Sequence, residues 1–181
     1  MNNLIELTLL HTSLGSLAGI EAVGHSLQRL TVQSAASSDA AHTMRTIEPC
    51  FLQLTELKFL NLGENQISQI ENLQNCLNLQ KLFLYNNKIR KIENLQDNVN
   101  LEELHLQGNK IKKIENIGNT LVHLKTLMLS ANKIEYFDDL NEMQLLPSLS
   151  RVSFNCDNFG ECPVSQHDNY REYVLNLLTQ Q

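Results

Sequence analysis

One pattern of apolar residues recurs at a nearly constant interval through this chain of 181 residues. The pattern Leu-x-x-Leu-x-Leu-x-x-Asn-x-Ile-x-x-Ile-x-x-Leu begins at Leu57 and is present, with small variations, in four consecutive copies that end at Leu140. The asparagines of these copies stand 22, 22 and 23 residues apart, at Asn65, Asn87, Asn109 and Asn132. A unit this short cannot bury its apolar face alone, so the copies are predicted to stack into a solenoid with a shared core.

Weaker copies of the pattern flank the four regular ones. The first begins at Leu4, the second at Leu27 and the seventh at Leu149. The second copy carries a small, polar insertion near residues 33–41, which we expect to form a loop. The sequence therefore predicts a repeat array of about seven copies over residues 1–154 and a C-terminal cap over residues 155–181.

The spacing within each copy predicts its local structure. Leu-x-x-Leu-x-Leu alternates apolar and polar residues, as a half-buried strand does. Ile-x-x-Ile-x-x-Leu has a period near three, which is typical of a 3₁₀ or irregular helical return. The asparagine amide can both donate and accept hydrogen bonds where the chain turns away from the strand. The predicted fold is a right-handed α/β solenoid with parallel strands on its concave face, short returns on its convex face and a helical cap.

Composition and charge exclude several classes of protein. Apolar residues make up 42% of the chain, enough for a core, which excludes wholesale disorder. The formal net charge of −6 argues against general attraction to nucleic acids or anionic lipids. No apolar stretch is long enough for a transmembrane helix, and residues 1–6 do not resemble a secretory signal. We therefore interpret the four cysteines as reduced thiols of a cytoplasmic protein, with the nucleus as the alternative.

A family resemblance rests on the amino-acid sequences of the regular copies. LKFLNLGENQISQIENL, LQKLFLYNNKIRKIENL and LEELHLQGNKIKKIENI resemble the 22-residue subclass of leucine-rich repeats typified by protein phosphatase 1 regulatory subunit 7. The end of the chain, CPVSQHDNYREYVLNLL, resembles the C-terminal cap of that subclass. The cap residues are Pro163, Tyr170, Arg171, Val174, Leu175, Leu177 and Leu178. The resemblance implies a leucine-rich repeat solenoid that binds proteins.

The strand positions that point away from the core carry a cluster of large side chains on neighbouring copies. Exposed aromatic residues and methionine on adjacent strands favour a protein-binding site. The central residues of this cluster are Phe59, Phe83, Tyr85, His105 and Met128. Lys81, Glu103 and Gln107 are predicted to form its polar rim. The sequence thus predicts a partner-binding site on the concave face.

A second surface is strongly basic. Seven residues that hold half of all lysine and arginine fall at equivalent positions of three copies: Lys88, Arg90, Lys91, Lys110, Lys112, Lys113 and Lys133. One interpretation is a site for an anionic partner, such as an acidic tail or RNA phosphates. The interpretation that we favour from sequence is a solvated face balanced by Glu71, Glu93, Glu115, Asp138 and Asp139. The interleaved aromatic residues of a single-strand nucleic-acid platform are missing from this ridge.

Catalytic and metal-binding motifs are missing from the sequence. It contains no nucleophile elbow, phosphate-binding loop or His-Glu-x-x-His segment. Cys156 and Cys162 are six residues apart, wider than the paired ligands of a structural zinc site. We therefore expect no enzyme activity, no metal and no cofactor.

Several functions stay open at this stage. The match is closest to long members of the subclass with several arrays, which implies an adaptor in a cytoskeletal or ciliary assembly. The alternatives are a regulatory subunit of protein phosphatase 1 and a component of a nuclear RNA–protein complex. The first copy begins at Leu4 without an evident polar cap, so self-association through this end is a further prediction.

Overall fold

A computed structural model describes residues 3–12, 16–34 and 43–179 of the chain. The expected core position Leu14 and the part of the insertion at residues 35–41 lie outside these ranges. Gln33 and Ser34, which we placed in the inserted loop, belong instead to the second strand. Val32 and Ser34 are buried in that strand, so its alternation of buried and exposed residues continues into the segment read as an insertion.

The described residues form a single seven-stranded sheet in which every neighbouring pair of strands is parallel. The strands follow one another in chain order, one from each copy of the repeat: β1 (Glu6–Thr12), β2 (Arg29–Ser34), β3 (Phe59–Asn61), β4 (Lys81–Phe83), β5 (Glu103–His105), β6 (Thr126–Met128) and β7 (Arg151–Ser153). Each copy therefore forms one coil. This arrangement confirms the predicted solenoid.

The returns that close the coils differ from one another in structure. Within the described residues, three of them contain a 3₁₀ helix, at Ile20–Val23, Pro49–Gln53 and Phe137–Leu145. The returns that follow β3, β4 and β5 contain turns and bends without a helix. Asn72, Asn94 and Asn116 reverse the chain there with φ angles of 60°, 59° and 64°, a region that asparagine tolerates well. The central returns are thus the irregular variant of the predicted alternatives.

The core is the continuous ladder of leucine and isoleucine that the repeat predicts. Leu60, Leu82, Leu104 and Leu127 on successive strands are fully buried. The isoleucines of the returns, such as Ile67 and Ile89, are equally buried. Removal of this apolar surface from water is the main stabilising contribution to such a stack.

The repeated asparagines join each coil to its neighbours. Asn87 donates through Nδ2 to the carbonyl of Leu84 in its own coil (3.1 Å) and of Leu62 in the preceding coil (2.9 Å). Its Oδ1 accepts the backbone N–H of Ile67 at 2.9 Å. Asn109 repeats this arrangement with Leu106, Leu84 and Ile89, and Asn132 with Leu129, Leu106 and Ile111. The asparagines therefore satisfy buried backbone groups that the strands leave unpaired.

The C-terminal residues cover the last coil. An antiparallel hairpin of β8 (Asn155–Cys156) and β9 (Gly160–Glu161) leads to a 3₁₀ turn at Pro163–Gln166 and to helix α1 (Tyr170–Thr179). Val174 and Leu177 are buried against the core, and the Tyr173 ring stacks on Phe137 at 4.5 Å. Leu175, one of the expected cap residues, is 62% exposed because it lies on the other side of the helix.

Candidate protein-binding face

The parallel register places the predicted contact residues on one surface, the concave face of the sheet. Two neighbouring columns run across β3–β6 and contain Phe83, His105 and Met128 in one and Phe59, Lys81 and Glu103 in the other. Tyr85 and Gln107 each follow two residues after the end of their strand. All eight residues are partly buried. The residues therefore share one face, and each side chain is partly covered by its neighbours.

Three rings and one cation form a continuous stack along this face. The Arg29 guanidinium lies 4.2 Å from the centre of the Phe59 ring. The Phe59 and Phe83 ring centres are 5.2 Å apart, and Phe83 stacks on His105 at 4.3 Å. We call Arg29, Phe59, Phe83 and His105 the ring stack. Such contacts are favourable beyond the burial of area alone, so the stack holds the rings in place without a partner.

Charged groups on the concave face neutralise one another. Lys81 Nζ lies 2.6 Å from Glu103 Oε1, and the other Glu103 oxygen lies 3.5 Å from His105 Nε2. The hydrogen bond from the Lys81 ammonium is the largest cause that lowers the pKa of Glu103 below its ordinary value. Burial lowers the pKa of His105, against the opposing effect of Glu103, so the imidazole is neutral near pH 7. The centre of the face is therefore close to electrically neutral.

Among the described residues, two polar atoms beside the ring stack make no hydrogen bond, although the Glu103 carboxylate lies 3.5 Å from one of them. They are His105 Nε2 and Gln107 Oε1, both buried. Gln107 Nε2 lies 3.5 Å from the other ring nitrogen of His105, at the limit of a hydrogen bond. Unpaired buried polar groups destabilise a structure, and a partner that supplies a donor for the Gln107 oxygen and an acceptor for the His105 nitrogen recovers that energy. This pair gives the face a polar element next to its apolar centre.

Tyr85 is held from both sides. Its ring lies where a Cβ at Gly63 would be, with the nearest ring atom 2.4 Å from that position. Its hydroxyl accepts a hydrogen bond from Gln33 in β2. The ring of Phe159, in the turn of the C-terminal hairpin, meets Tyr85 edge-on at 6.0 Å. The hairpin thus reaches back over the concave face to β4 and closes the side where Tyr85 lies.

Sequence reasoning missed three residues of this face. Arg29 appears in the correct column, but its contact with Phe59 gives no signal in the repeat. Gln33 was assigned to the inserted loop. Phe159 lies in the cap, outside the periodic pattern, and an aromatic residue beside Gly160 in a short hairpin was its only sequence signal.

Two of the four cysteines are held as protonated thiols by burial. All four are free thiols, and burial raises the pKa of Cys76 to about 12. Burial, with the nearby Glu48 carboxylate, raises the pKa of Cys50 to about 11. Such thiols are poor nucleophiles because little thiolate is present at neutral pH. Among the described residues, no group of three or more histidine, cysteine, aspartate or glutamate side chains is placed to hold a metal ion.

The first coil exposes apolar side chains at the N-terminal end of the array. In the first coil Leu4, Ile5 and Leu10 are 39%, 54% and 47% exposed. This apolar surface is the one on which the prediction of self-association rests, and that prediction stays open. Within the described ranges, no helix combines the length and apolar character needed to cross a bilayer.

Solved structures with the same architecture include proteins from distant sources. A chain of the Drosophila melanogaster SNF/U2A′ complex shares 26% identity over 76% of this chain and 81% of that one, with a TM-score of 0.64. Internalin C2 from Listeria monocytogenes shares 26% identity over 82% of this chain and 60% of its own length, with a TM-score of 0.68. A chain of the TLR13–ssRNA13 complex, at 23% identity and a TM-score of 0.65, supports the fold alone.

Sequence comparison gives a consistent result. Comparison with curated proteins yields no match. A family model described as leucine-rich repeat matches residues 50–181, which includes the four regular copies and the cap. The chain belongs to the leucine-rich repeat family.

Proposed function

We propose that this chain is a non-enzymatic scaffold that binds a protein partner on its concave face. The proposed contacts are Phe59, Phe83, Tyr85, His105, Gln107 and Met128, with Lys81 and Glu103 at the rim. The observation that carries this proposal is the ring stack: aromatic side chains aligned across adjacent strands at the centre of the concave face. Aromatic residues at the centre of a surface are the usual anchors of protein interfaces.

Preorganisation is the mechanism that we propose for binding. Each contact residue is fixed by its strand, by a neighbouring ring or by the Lys81–Glu103 ion pair. A partner therefore meets side chains that have already lost much of their rotamer freedom, which lowers the entropic cost of association. The near-neutral centre favours a partner surface that is apolar and carries one or two hydrogen-bonding groups for His105 and Gln107.

The C-terminal hairpin limits where the partner docks. Phe159 meets Tyr85 on the side that follows the strands, whereas Phe59, Phe83 and Met128 lie within or beside the strands themselves. We propose that the partner occupies the strand side of the face and touches Phe159 and Tyr85 at its edge.

A comparison of two double variants tests the proposal. Phe83→Ser with Met128→Ser removes apolar surface from the concave face. Leu77→Ser with Leu175→Ser removes apolar surface that is 55% and 62% exposed elsewhere on the molecule. We expect affinity purification with quantitative mass spectrometry to lose the same specific proteins with the concave variant only.

Melting curves of both variants show whether each is folded at the assay temperature. If the two variants lose the same proteins, or if a folded concave variant keeps them all, the concave face is not the binding site.

The identity of the partner separates two candidate settings. The sequence from Thr46 onward resembles an array of leucine-rich repeat-containing protein 9, on which a cytoplasmic adaptor in a cytoskeletal or ciliary assembly is proposed. Similarity to a chain of the SNF/U2A′ complex favours the second candidate, a component of a nuclear RNA–protein complex. Purification from separate cytoplasmic and nuclear extracts, with and without ribonuclease, distinguishes the two.

A further inference from the structure

A groove on another side of the molecule concentrates positive charge. Its walls are formed by Arg90, Lys91, Lys110, Lys112, Lys113 and Lys133, and Glu115 is its only acidic wall residue. We call this the cationic groove. It encloses about 420 Å³ and belongs to three consecutive coils, in a chain with a net charge of −6. Positive charge is therefore collected here against the overall balance of the protein.

The repeat fixes the positions of these side chains. Lys110 and Lys133 each follow the buried asparagine of their coil, and their backbone N–H groups donate to Ile89 and Ile111 of the preceding coil at 2.8 and 2.7 Å. Neighbouring coils in such a stack are about 4.8 Å apart, so equivalent cations of successive coils are close neighbours. The groove is a regular array of ammonium and guanidinium groups on a rigid backbone.

Within the described ranges, none of the six cations has a carboxylate within 4.0 Å, the distance that defines an ion pair. Two lysines outside the groove are paired, Lys81 with Glu103 at 2.6 Å and Lys125 with Glu102 at 2.9 Å. Glu71 and Glu93, which we expected to balance the ridge, line separate grooves among asparagines and glutamines. The balanced face that we favoured from sequence is therefore not formed through direct ion pairs.

An array of unpaired like charges favours an anionic ligand. Cations at this spacing repel one another, and an oligoanion that spans them relieves the repulsion and releases bound counterions. The C-terminal boundary of the array is the neighbouring groove, where Glu135 and Asp139 adjoin Lys133. The N-terminal boundary is the preceding coil, with Gln66, Ser68 and Gln69 at the equivalent positions. A ligand of defined length fits between these limits.

We infer that the cationic groove binds an acidic segment of polypeptide, several Asp or Glu residues in extended conformation. No aromatic residue lines the groove, so bases have no platform on which to stack. The negative charge of the rest of the surface disfavours a long nucleic acid, whereas a short acidic segment stays within the groove. This site is separate from the concave face, and the inference does not depend on the function proposed for that face.

Binding of a fluorescein-labelled peptide of ten glutamates, followed by fluorescence anisotropy at about 50 mM salt, tests the inference. The groove variant carries Arg90→Gln, Lys91→Gln and Lys113→Gln. The matched control carries Lys58→Gln, Lys125→Gln and Arg171→Gln, which change the net charge equally outside the groove. A neutral Gly-Ser peptide and a mixed-sequence oligonucleotide of ten nucleotides serve as comparison probes.

We expect the groove variant to weaken binding of the acidic peptide by roughly tenfold or more, and the control variant by about twofold. We also expect the acidic peptide to bind more tightly than either comparison probe. The inference is overturned if the wild-type protein does not bind the acidic peptide, or if both variants weaken it equally. Tighter binding of the oligonucleotide than of the peptide overturns it in favour of a nucleic-acid site. Melting curves of the two variants confirm that both are folded.

Discussion

His105 is the titratable ring at one end of the ring stack. Its ring packs on Phe83 at 4.3 Å, and its side chain is 18% exposed. The titratable groups that influence it are Glu103, Lys81 and Arg151. Because burial is the largest cause of its lowered pKa, the folded protein holds the neutral imidazole better than the unfolded chain does. A group of this kind stabilises the fold above its unfolded pKa, near 6.5, and this stabilisation is lost as the pH falls through the lower folded value.

We therefore expect the stability of the wild-type protein to fall between pH 7.5 and about pH 5.5, with a contribution from His105. His105→Phe keeps a ring on Phe83 and removes the titration, so its stability should depend less steeply on pH over this range. Urea denaturation at several pH values measures the difference. His25→Phe, at an exposed position, is the control and should keep the wild-type slope. Equal slopes for wild type and His105→Phe would contradict the assignment.

At the scale of the elements, the repeated asparagines Asn87, Asn109 and Asn132, which we call the asparagine ladder, join each strand to the return of its neighbour. The Asn109 side chain donates to the carbonyls of Leu84 and Leu106 at 2.9 and 3.0 Å and accepts the backbone N–H of Ile89 at 3.0 Å. It thus bonds backbone groups for which the turn offers no backbone partner. The register of the sheet and that of the returns are thereby coupled at every coil. The coupling also fixes Lys110, the next residue, at the wall of the cationic groove.

Asn109→Ala should destabilise the protein by about 2–3 kcal/mol, because it leaves the buried N–H of Ile89 without a partner and removes one of the two donors from the carbonyls of Leu84 and Leu106. Asn100→Ala is the control, since Asn100 is exposed and makes a single bond to the carbonyl of Leu77. We expect the control to cost less than about 1 kcal/mol. Chemical denaturation of both variants provides the measurement. A cost for Asn109→Ala as small as that of Asn100→Ala would mean that water replaces the ladder.

At the scale of the whole molecule, stability passes from coil to coil. In the described sheet each strand pairs with the strands of the adjacent coils, and the last described coil is covered by the hairpin and by α1. Tyr173 contributes its stacking on Phe137 and a hydrogen bond of 2.8 Å to Asn141. In such a stack a local defect is expected to weaken nearby coils more than distant ones.

Val174→Asp places a carboxylate at a position that is 9% exposed and should loosen the cap. Hydrogen exchange followed by mass spectrometry should show the largest increase at residues 134–179 and a smaller one toward β3. Leu175→Asp, one residue further along the helix on its exposed side, should leave the exchange pattern nearly unchanged. A uniform increase along the chain would indicate that the array unfolds as one cooperative unit instead.

How much of the molecule was predictable depends on the range of the contacts involved. The columns of the concave face follow from the 22-residue interval, and the strands pair in the predicted register from β1 to β7. Two consecutive residues of an α-helix point about 100° apart, so Val174 is buried whereas Leu175, also expected in the cap, is exposed. The central returns take the irregular form of the predicted return and contain no helix, because an asparagine at a positive φ reverses the chain there.

The sequence by itself determined which side chains enter the core and which share a face, because alternation along a strand and stacking of equal coils depend only on local spacing. Tertiary structure decided what those side chains touch. Tyr85 meets Gln33 and Phe159, residues far from it along the chain, because the hairpin returns over the face. The basic ridge became an unpaired groove because Glu71 and Glu93 line other grooves and Glu115, which lines this one, makes no ion pair with its cations. The period of the sequence determines the direction in which each side chain leaves the backbone, whereas the contacts of that side chain depend on where the other coils lie.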